Sequence, residues 1–333
     1  MKKVLSLILA LAMVFALAAC GEKQPSNDGN TDGDKSARGN VIMTFGTADT
    51  GGSMYPAGAA VSQVWTNNVQ GVKCNTQTST GSFQNCQDVS TGEVDVAVAT
   101  SDVVLNAYNG TGKFADIGKL DNLRVIGAVY TSVLSGVALK SSGLTYIHDL
   151  LGKRVAVGPA ASATENATLA AFDVMGIDSS NTSLENLGLG DGADSVGDGI
   201  LDAAFGFAGL PIGGQLNLAA TKEIQVLDMT QEEIDKVLAG NAAYIQTKIP
   251  AGTYTGQDND ANTFGVKCLI IVTADMDADL VYDLCKAMNE HTEEMAAGNA
   301  LLKDMTDPSF LCTQMPIPLH DGAQKYYSEQ GLI

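Results

Sequence analysis

The sequence predicts an α/β protein with doubly wound parallel sheets. Apolar segments typical of strands, at 41–45 and 72–78, flank a helical segment at 55–67 whose apolar residues fall on one side. A third strand, at 94–99, is largely apolar, as is typical of a parallel strand buried on both faces. This order implies right-handed β-α-β crossovers, whose loops at the carboxyl ends of the strands share one ligand-binding crevice.

Start and stop signals delimit the helices of this first unit. A helix is expected from the turn at 80–82 to residue 90, with Gly92 at its C-cap. Ser101 and Asp102 are expected to cap the next helix. The remaining strands of the unit are expected at 123–130 and 135–140.

A second unit begins near Gly143 and repeats the pattern of the first. A helix closed by glycine leads into an apolar strand at 197–205, as it does at 91–97. The similarity indicates two lobes, which also suits the roughly 290 residues that follow the N-terminal segment. The further elements are expected as a turn and strand at 152–157, a loop at 158–164, a helix at 165–175, a strand at 264–272 and a helix at 280–294.

The N-terminus carries the features of an export signal. Two lysines precede an uncharged stretch at 4–19, and the residues Leu-Ala-Ala-Cys at 17–20 look like a lipobox. We therefore expect residues 1–19 to be a lipoprotein signal peptide, Cys20 to be the lipidated N-terminus, and residues 20–40 to be a disordered tether. An ordinary secretory signal, with Cys20 a bystander, is the alternative. The expected location is extracytoplasmic, lipid-anchored to a bacterial cell membrane.

The charge of the chain excludes some partners. The formal net charge is −19, which argues against nucleic acid, because a phosphate backbone needs a basic footprint. It also argues against peripheral binding to a membrane of anionic lipids, so the N-terminal lipid is the expected membrane attachment. The acidity itself fits the solubility of an exposed protein, and it does not by itself indicate a cation site.

The cysteines do not resemble a disulfide framework. Apart from Cys20 the chain has five, which is an odd number, and it has no Cys-x-x-Cys. Buried free thiols are therefore expected, and one pair, such as Cys74 with Cys86, is the alternative. The five are Cys74, Cys86, Cys268, Cys285 and Cys312.

Polar loops follow three of the predicted strands and open helices. The first, at 46–56, is rich in Gly, Thr and Ser, and the others lie at 80–82 and 158–164. Such loops direct backbone N–H groups and hydroxyls to the positive end of a helix, which suits a carboxylate or a phosphate. A structural turn is the alternative for any one loop. Three loops at one edge favour a binding site.

Eight segments, in order, resemble the TAXI group of substrate-binding proteins, which serve tripartite (TRAP) transporters. The resemblance covers nearly all of residues 41–333. The segments are 46–56 (Gly-Thr-Ala-Asp-Thr-Gly-Gly-Ser-Met-Tyr-Pro), 80–82 with Asn85, 101–102, 149–158, Ser162 with Thr164, 202–205 with 209–211, 249–254, and 318–323.

The resemblance implies a type II-like, two-lobe periplasmic-binding fold whose doubly wound sheets are joined by two crossing hinge strands. We place the crossings near 138–143 and 262–268. Lobe one is then 41–140 plus 266–333, and lobe two is 141–265. A monomer of this kind would close on a small carboxylate or amino acid, such as glutamate, glutamine or 2-oxoglutarate. It would then dock on a TRAP-type permease driven by an ion gradient, without any cofactor.

The same resemblance, with the positions of the loops, implies roles for individual residues. Hydroxyls and backbone N–H groups would hold ligand carboxylates, and Tyr55 would stack on the ligand unless it is a hydrophobic staple. Ser82, Ser101 and Asp102 have helix capping as their alternative, and Phe207 has core packing. The expected ligand-binding residues are Thr47, Asp49, Thr50, Tyr55, Ser82, Asn85, Ser101, Asp102, Ala160, Ala161, Ser162, Thr164 and Phe207.

Two departures from the family pattern bear on the ligand. Asp49 stands where the family's first loop usually has glycine, and an acid there would pair with a ligand ammonium or point to solvent. Alanine replaces both glycines of the family's Gly-Ser-Gly-Thr, at Ala161 and Ala163. Because alanine has fewer backbone conformations than glycine, this loop is expected to sit differently.

Other function classes have weaker support. An enzyme is disfavoured because His148, His291 and His320 form no metal-binding spacing and Ser162 lacks a Gly-x-Ser-x-Gly elbow. The main alternative is a binding lipoprotein of an ABC importer or a sensor with the same fold. A surface protein without a transport role is a further alternative, which an absence of small-molecule binding would favour.

Overall fold

A computed structural model of the chain describes residues 39–50 and 52–333. The expected signal peptide, the lipidation site Cys20 and most of the tether lie outside the described residues. Within the described part, no helix has both the length and the apolar character needed to cross a membrane.

The described strands form one mixed sheet of ten. The strands are β1 (Val41–Gly46), β2 (Val72–Gln77), β3 (Val96–Thr100), β4 (Leu123–Leu139), β5 (Arg154–Ala156), β6 (Ser183–Glu185), β7 (Ala203–Ala208), β8 (Ile224–Val226), β9 (Ile245–Ile249) and β10 (Ala261–Thr273). Their main order is β2-β1-β3-β10-β4-β7-β5-β6, with β8 paired to β4 and β9 paired to β10. The expected parallel pairing holds for β1 with β2 and β3, and for β5 with β6 and β7.

Helices lie on both faces of this sheet, as expected for a doubly wound fold. They are α1 (Met54–Asn68), α2 (Ser82–Thr91), α3 (Ser101–Asn109), α4 (Ala163–Val174), α5 (Leu189–Gly197), α6 (Gly213–Thr221), α7 (Gln231–Gly240), α8 (Ala278–Glu290), α9 (Thr292–Gly298), α10 (Pro308–Cys312) and α11 (Asp321–Glu329). Short 3-10 turns occupy Gly112–Phe114, Lys140–Ser142, Ile147–Leu150 and Ala300–Thr306. The expected helix at 280–294 is divided into α8 and α9 at His291.

The two central strands differ from the expectation. The strands predicted at 123–130 and 135–140 are one 17-residue strand, β4. It runs antiparallel to β10, whereas the order of strands and helices in the sequence predicts parallel neighbours. The polar pair at 131–132 suggests a break, but Ser132 is buried within the strand, where its hydroxyl lies 3.0 Å from the thiol of Cys268.

These strands connect the two halves of the sheet. β4 pairs with β10 up to Val133 and with β7 from Val133 onward. β10 pairs with β9 up to Gly265 and with β3 from Cys268. The change in β10 lies within the expected crossing at 262–268, whereas the change in β4 precedes the expected 138–143. The lobe boundaries stay a prediction.

Burial on both faces holds the sheet and helices together. On one face, the Trp65 indole of α1 stacks on Phe45, with 5.5 Å between ring centroids, and donates a hydrogen bond to the Leu284 carbonyl of α8 at 3.0 Å. On the other face, Phe172 of α4 packs edge-on against Phe205 of β7 at 5.4 Å. Buried aromatic pairs of this kind contribute to stability beyond the area that they bury.

The five described cysteines are free and buried, which confirms the expectation of buried thiols, and Cys74 is not bonded to Cys86. Burial raises the pKa of the Cys74 thiol to about 11 and that of Cys268 to about 12. It raises the pKa of Cys86, Cys285 and Cys312 as well. Because the thiolate is the reactive form, these thiols should be inert in the native state.

We predict that a thiol reagent such as DTNB leaves the native protein without residues 1–38 almost unmodified at pH 8, because burial blocks access and suppresses the thiolate. Denaturant should expose all five thiols. Absorbance of the released thiolate measures both. Rapid native modification, or fewer than five thiols after unfolding without reductant, would contradict the prediction.

Candidate functional site

A cavity lies where the loops after β1, β2 and β5 meet the end of β7 and the start of α5. The space between its walls, counted out into the opening to solvent, is about 510 Å³. The residues that line it are Ala48, Asp49, Gly52, Ser53, Met54, Thr80, Gly81, Ser82, Tyr130, Pro159, Ser162, Ala163, Thr164, Leu189, Phe207 and Ala208. These three loops are the ones that the sequence predicts to form a site.

Four helices begin at the wall of this cavity. Met54 of α1, Ser82 of α2, Ala163 of α4 and Leu189 of α5 are each the first helical residue, and each lines the cavity. A helix N-terminus carries a partial positive charge and unpaired N–H groups, so four together favour an anion. Among the described lining residues Asp49 is the only ionisable acid or base besides Tyr130, and none is Lys, Arg or His.

Three side-chain hydroxyls on the cavity wall accept hydrogen bonds from the backbone. The oxygens of Ser82, Ser162 and Thr164 each accept a hydrogen bond from a backbone N–H, at 3.1 Å in every case. The donors are the N–H groups of Thr100, Glu165 and Phe207, in that order. The Ser82 oxygen also accepts a hydrogen bond from the Thr100 hydroxyl at 3.3 Å. In the hydrogen bonds of the described residues all three hydroxyls act as acceptors. They are therefore positioned to donate to an acceptor oxygen of a ligand.

The loop between β5 and α4 is built around two unusual backbone positions. Gly158 has φ +98°, and a Cβ there would lie 2.5 Å from a methyl carbon of Thr164. Ala161 has φ 60°, in the left-handed region that favours glycine. This is one of the positions where alanine replaces the family's glycine. The loop keeps the left-handed turn, and Ser162 then caps α4.

The expected N–H donors of this loop do not reach the cavity wall. The Ala161 N–H donates to the Glu165 carboxylate at 2.8 Å, and Ala160 is exposed. Neither residue lines the cavity, whereas Ser162 and Thr164 do. Ligand contact by Ala160 and Ala161 stays a prediction that their positions do not favour.

Two of the polar residues expected to bind ligand, Thr47 and Asn85, form hydrogen bonds within the protein instead of lining the cavity. Thr47 is fully buried, and its hydroxyl donates to the Gln77 carbonyl at 2.8 Å. Asn85 is also fully buried, and its amide donates to the carbonyls of Thr47 and Val98 at 2.5 and 2.7 Å. These bonds tie together the ends of β1, β2 and β3. Neither Thr47 nor Asn85 lines the cavity.

Three other expected residues lie off the wall. Thr50 is exposed, Tyr55 is half-buried, and Ser101 is buried at the start of α3. Met54, next to Tyr55, lines the cavity in its place. Asp49 does line it and is exposed, and Phe207 lines it from within β7 rather than from a loop after the strand. The Phe207 ring faces the cavity and also contacts the rings of Tyr244 and Phe264 in the core.

Asp102 is fully buried, and it joins α3 to other parts of the chain rather than lining the cavity. Its Oδ2 accepts hydrogen bonds from the Asn166 amide at 2.9 Å and from the Tyr244 hydroxyl at 3.2 Å. Burial raises the pKa of Asp102, although hydrogen bonds, among them those from Thr100 and Asn166, partly offset the effect. The predicted division of the chain puts Asp102 in lobe one and both of its Oδ2 partners in lobe two.

Two further contacts join the same predicted lobes. The Lys113 ammonium pairs with the Glu165 carboxylate of α4. The Ser53 hydroxyl donates to the Gly209 carbonyl at 3.2 Å, beside the cavity. With Asp102, these contacts hold the cavity walls in their present arrangement.

The most informative lining residue that sequence reasoning missed is Tyr130. It lies on β4, at the sheet side of the cavity, and it is 1% exposed. Its position at the end of the predicted strand 123–130 is the signal that was available, because ligands bind beyond strand ends in such folds. The described histidines lie elsewhere, and no described group of His, Cys, Asp and Glu is arranged to hold a metal ion.

The family of the chain follows from residues 45–331, which match the NMT1-like family. The chain belongs to the NMT1-like family. This assignment is broader than the TAXI resemblance, and it does not decide that subgroup.

Solved structures share the fold of this NMT1-like chain. One is PhnD1 from Prochlorococcus marinus in complex with methylphosphonate, with TM-score 0.53, 11% identity, and coverage of 88% of this chain and 99% of that one. Another is the alkanesulfonate-binding protein SsuA from Xanthomonas axonopodis pv. citri bound to MOPS, with TM-score 0.51, 14% identity, and coverage of 88% and 85%. At these identities the likeness confirms the two-lobe periplasmic-binding fold and no more.

Ala161→Gly should raise the free energy of unfolding by about 0.5–1 kcal/mol, because relief of the left-handed strain exceeds the extra freedom of glycine in the unfolded chain. The melting temperature should rise by roughly 1–4 °C. The control is Ala163→Gly at the start of α4, which relieves no strain and should destabilise. An equal fall in melting temperature in both variants would show that the backbone of Ala161 is not strained. Thermal unfolding followed by circular dichroism measures both.

Asp102→Asn should reduce the dependence of stability on pH. The folded pKa of Asp102 is raised above 3.8, so its contribution favours the folded state at low pH and is lost as pH rises through the folded pKa. Asp202, whose pKa is lowered by its hydrogen bond from Arg154, acts in the opposite direction, so the difference between variant and wild type is the informative quantity. The variant keeps an oxygen for Asn166 and Tyr244.

The measurement is the melting temperature of both proteins between about pH 4 and pH 8. The melting temperature of the variant should rise relative to that of the wild type as pH rises. A difference that is constant with pH would show that Asp102 ionises in the folded protein as it does in the unfolded chain.

Proposed function

We propose that this NMT1-like protein is an extracytoplasmic solute receptor. It captures a small carboxylate such as glutamate, glutamine or 2-oxoglutarate in the cavity and delivers it to a membrane permease. The observation that carries this proposal is the cavity wall, where four helix N-termini and three donor hydroxyls converge without a basic side chain. Neutral donors of this kind suit the oxygens of an anionic group.

The charge of the wall narrows the ligand class further. Each helix terminus supplies only about half a positive charge, and no described Lys, Arg or His lines the cavity to supply a full one. Asp49 at the opening adds a negative charge of its own. A monoanion or zwitterion therefore fits better than a dianion, so we favour an α-amino acid over 2-oxoglutarate. The ammonium of such a ligand would face Asp49.

The TAXI resemblance supports a TRAP-type permease driven by an ion gradient. The alternative partner is an ABC importer or a sensor, which would use the same cavity. Neither partner requires catalysis, and no described histidine lines the cavity to supply it. We further propose that the protein acts as a monomer, anchored to the membrane through Cys20. Co-reconstitution with a candidate permease, energised by an ion gradient or by ATP, distinguishes the two transport systems.

A thermal-shift screen of refolded, ligand-free protein tests the receptor function. The panel contains L-glutamate, L-glutamine, 2-oxoglutarate, ethanesulfonate and methylphosphonate. A ligand at about 100 times its Kd should stabilise by roughly 2.7 kcal/mol, which raises the melting temperature by about 5–10 °C. We expect the largest shift with an amino acid. No shift across the panel, and no heat of binding by calorimetry, would count against the receptor function.

A pair of matched variants locates the site. Ser162→Ala and Thr230→Ala each remove a hydroxyl that caps a helix, α4 and α7 respectively, so each should cost about 1 kcal/mol of stability. Only Ser162 lines the cavity. Calorimetry should therefore show weaker ligand binding for Ser162→Ala alone. Equal Kd values for the two variants would place the ligand elsewhere.

A further inference from the structure

The hydroxyl of Tyr130 is an exception among the buried tyrosines. Its side chain is 1% exposed, yet its hydroxyl has no hydrogen-bond partner among the described residues. Tyr254 is equally buried, but its hydroxyl donates to Gln215 at 2.8 Å and accepts from the Ile212 N–H at 3.1 Å. Buried polar groups in folded proteins are nearly always paired, so an unpaired one calls for a physical reason.

Cys268 and Ser132 lie near the Tyr130 hydroxyl and influence its pKa, but neither makes a hydrogen bond of normal geometry to it. Cys268, opposite Tyr130 on β10, and Ser132, two residues further along β4, bond to each other at 3.0 Å. Burial, and then the nearby Cys268, raise the pKa of Tyr130 well above its ordinary value. The hydroxyl therefore keeps its proton at every physiological pH, and it is a neutral donor.

The place of Tyr130 indicates what completes this hydrogen bond. It lines the cavity from the sheet side, while Ser82, Ser162 and Thr164 line it from the helix starts. The four residues that carry these neutral hydroxyls line one cavity, and in the hydrogen bonds of the described residues none of the hydroxyls acts as a donor. A ligand oxygen in that space would meet donors from both directions.

We propose that the Tyr130 hydroxyl donates a hydrogen bond to an oxygen of the bound solute, and that it thereby selects solutes with an anionic oxygen at the sheet side of the cavity. This inference rests on the proposed receptor function and specifies how the receptor reads its ligand. An apolar group in the same place would leave the hydroxyl buried and unpaired, so solutes without that oxygen are rejected.

The test is Tyr130→Phe in the full chain, with L-glutamate, L-glutamine and 2-oxoglutarate as probes. Without ligand the melting temperature should stay the same or rise, because the variant removes an unpaired buried hydroxyl. With ligand, calorimetry should show a Kd about 10–100 times weaker, as expected for a lost hydrogen bond to a charged oxygen. A merely structural hydroxyl would give the reverse pattern.

The matched control is Tyr254→Phe, which removes a paired hydroxyl outside the cavity wall. It should lower the melting temperature without ligand and leave the Kd nearly unchanged. If Tyr130→Phe behaves like this control, or if its Kd equals that of the wild type, the inference is wrong and the receptor function stands. A wild-type protein that binds none of the probes overturns both.

Discussion

The antiparallel pairing of β4 with β10 is the constraint on which the rest of the structure depends. β7 pairs with β4, and β3 and β9 pair with β10, so both halves of the sheet are attached to this pair. Register shifts in the pair, between Cys268 and Leu269 and between Ile270 and Ile271, are irregularities that bend and twist a strand. The pair thus sets the angle between the two halves of the sheet. It also fixes Tyr130 opposite Cys268, and so the sheet side of the cavity.

The outer parallel strands could be predicted because their signals are local. Apolar runs, a glycine at the C-cap such as Gly92 in the left-handed conformation, and polar loops before helices all act within about ten residues. The central strands could not, because the polar residues in β4 are satisfied by partners far along the chain. Ser132 is bonded to Cys268, and the Thr131 hydroxyl donates to Asp304. A sequence window that contains only 131–132 indicates a loop.

The same distinction explains which of the predicted site residues line the cavity. Ser82 and Ser162 lie at helix starts, and that local position alone brings them to the cavity wall. Asn85 and Asp102 are just as polar and follow strands in the same way, yet their side chains bond to groups from distant segments and leave the wall. A polar side chain that follows a strand can be expected to find a hydrogen-bond partner. The sequence does not predict whether that partner belongs to the protein or to a ligand.

Holding the ligand and holding the cavity walls together therefore depend on different residues. The hydroxyls of Ser82, Ser162 and Thr164 are fixed by backbone N–H groups before any ligand arrives, so little ordering is needed on binding. Away from the wall, the two sides are joined by Asp102 and by the pair of Lys113 with Glu165, and at the wall they are joined by the bond from Ser53 to Gly209. A change in the charge of Asp102 would therefore act on the contacts between the walls and leave the hydrogen bonds of the three hydroxyls as they are. Under the proposed receptor function, this separation would let release of the solute be controlled without weakening its recognition.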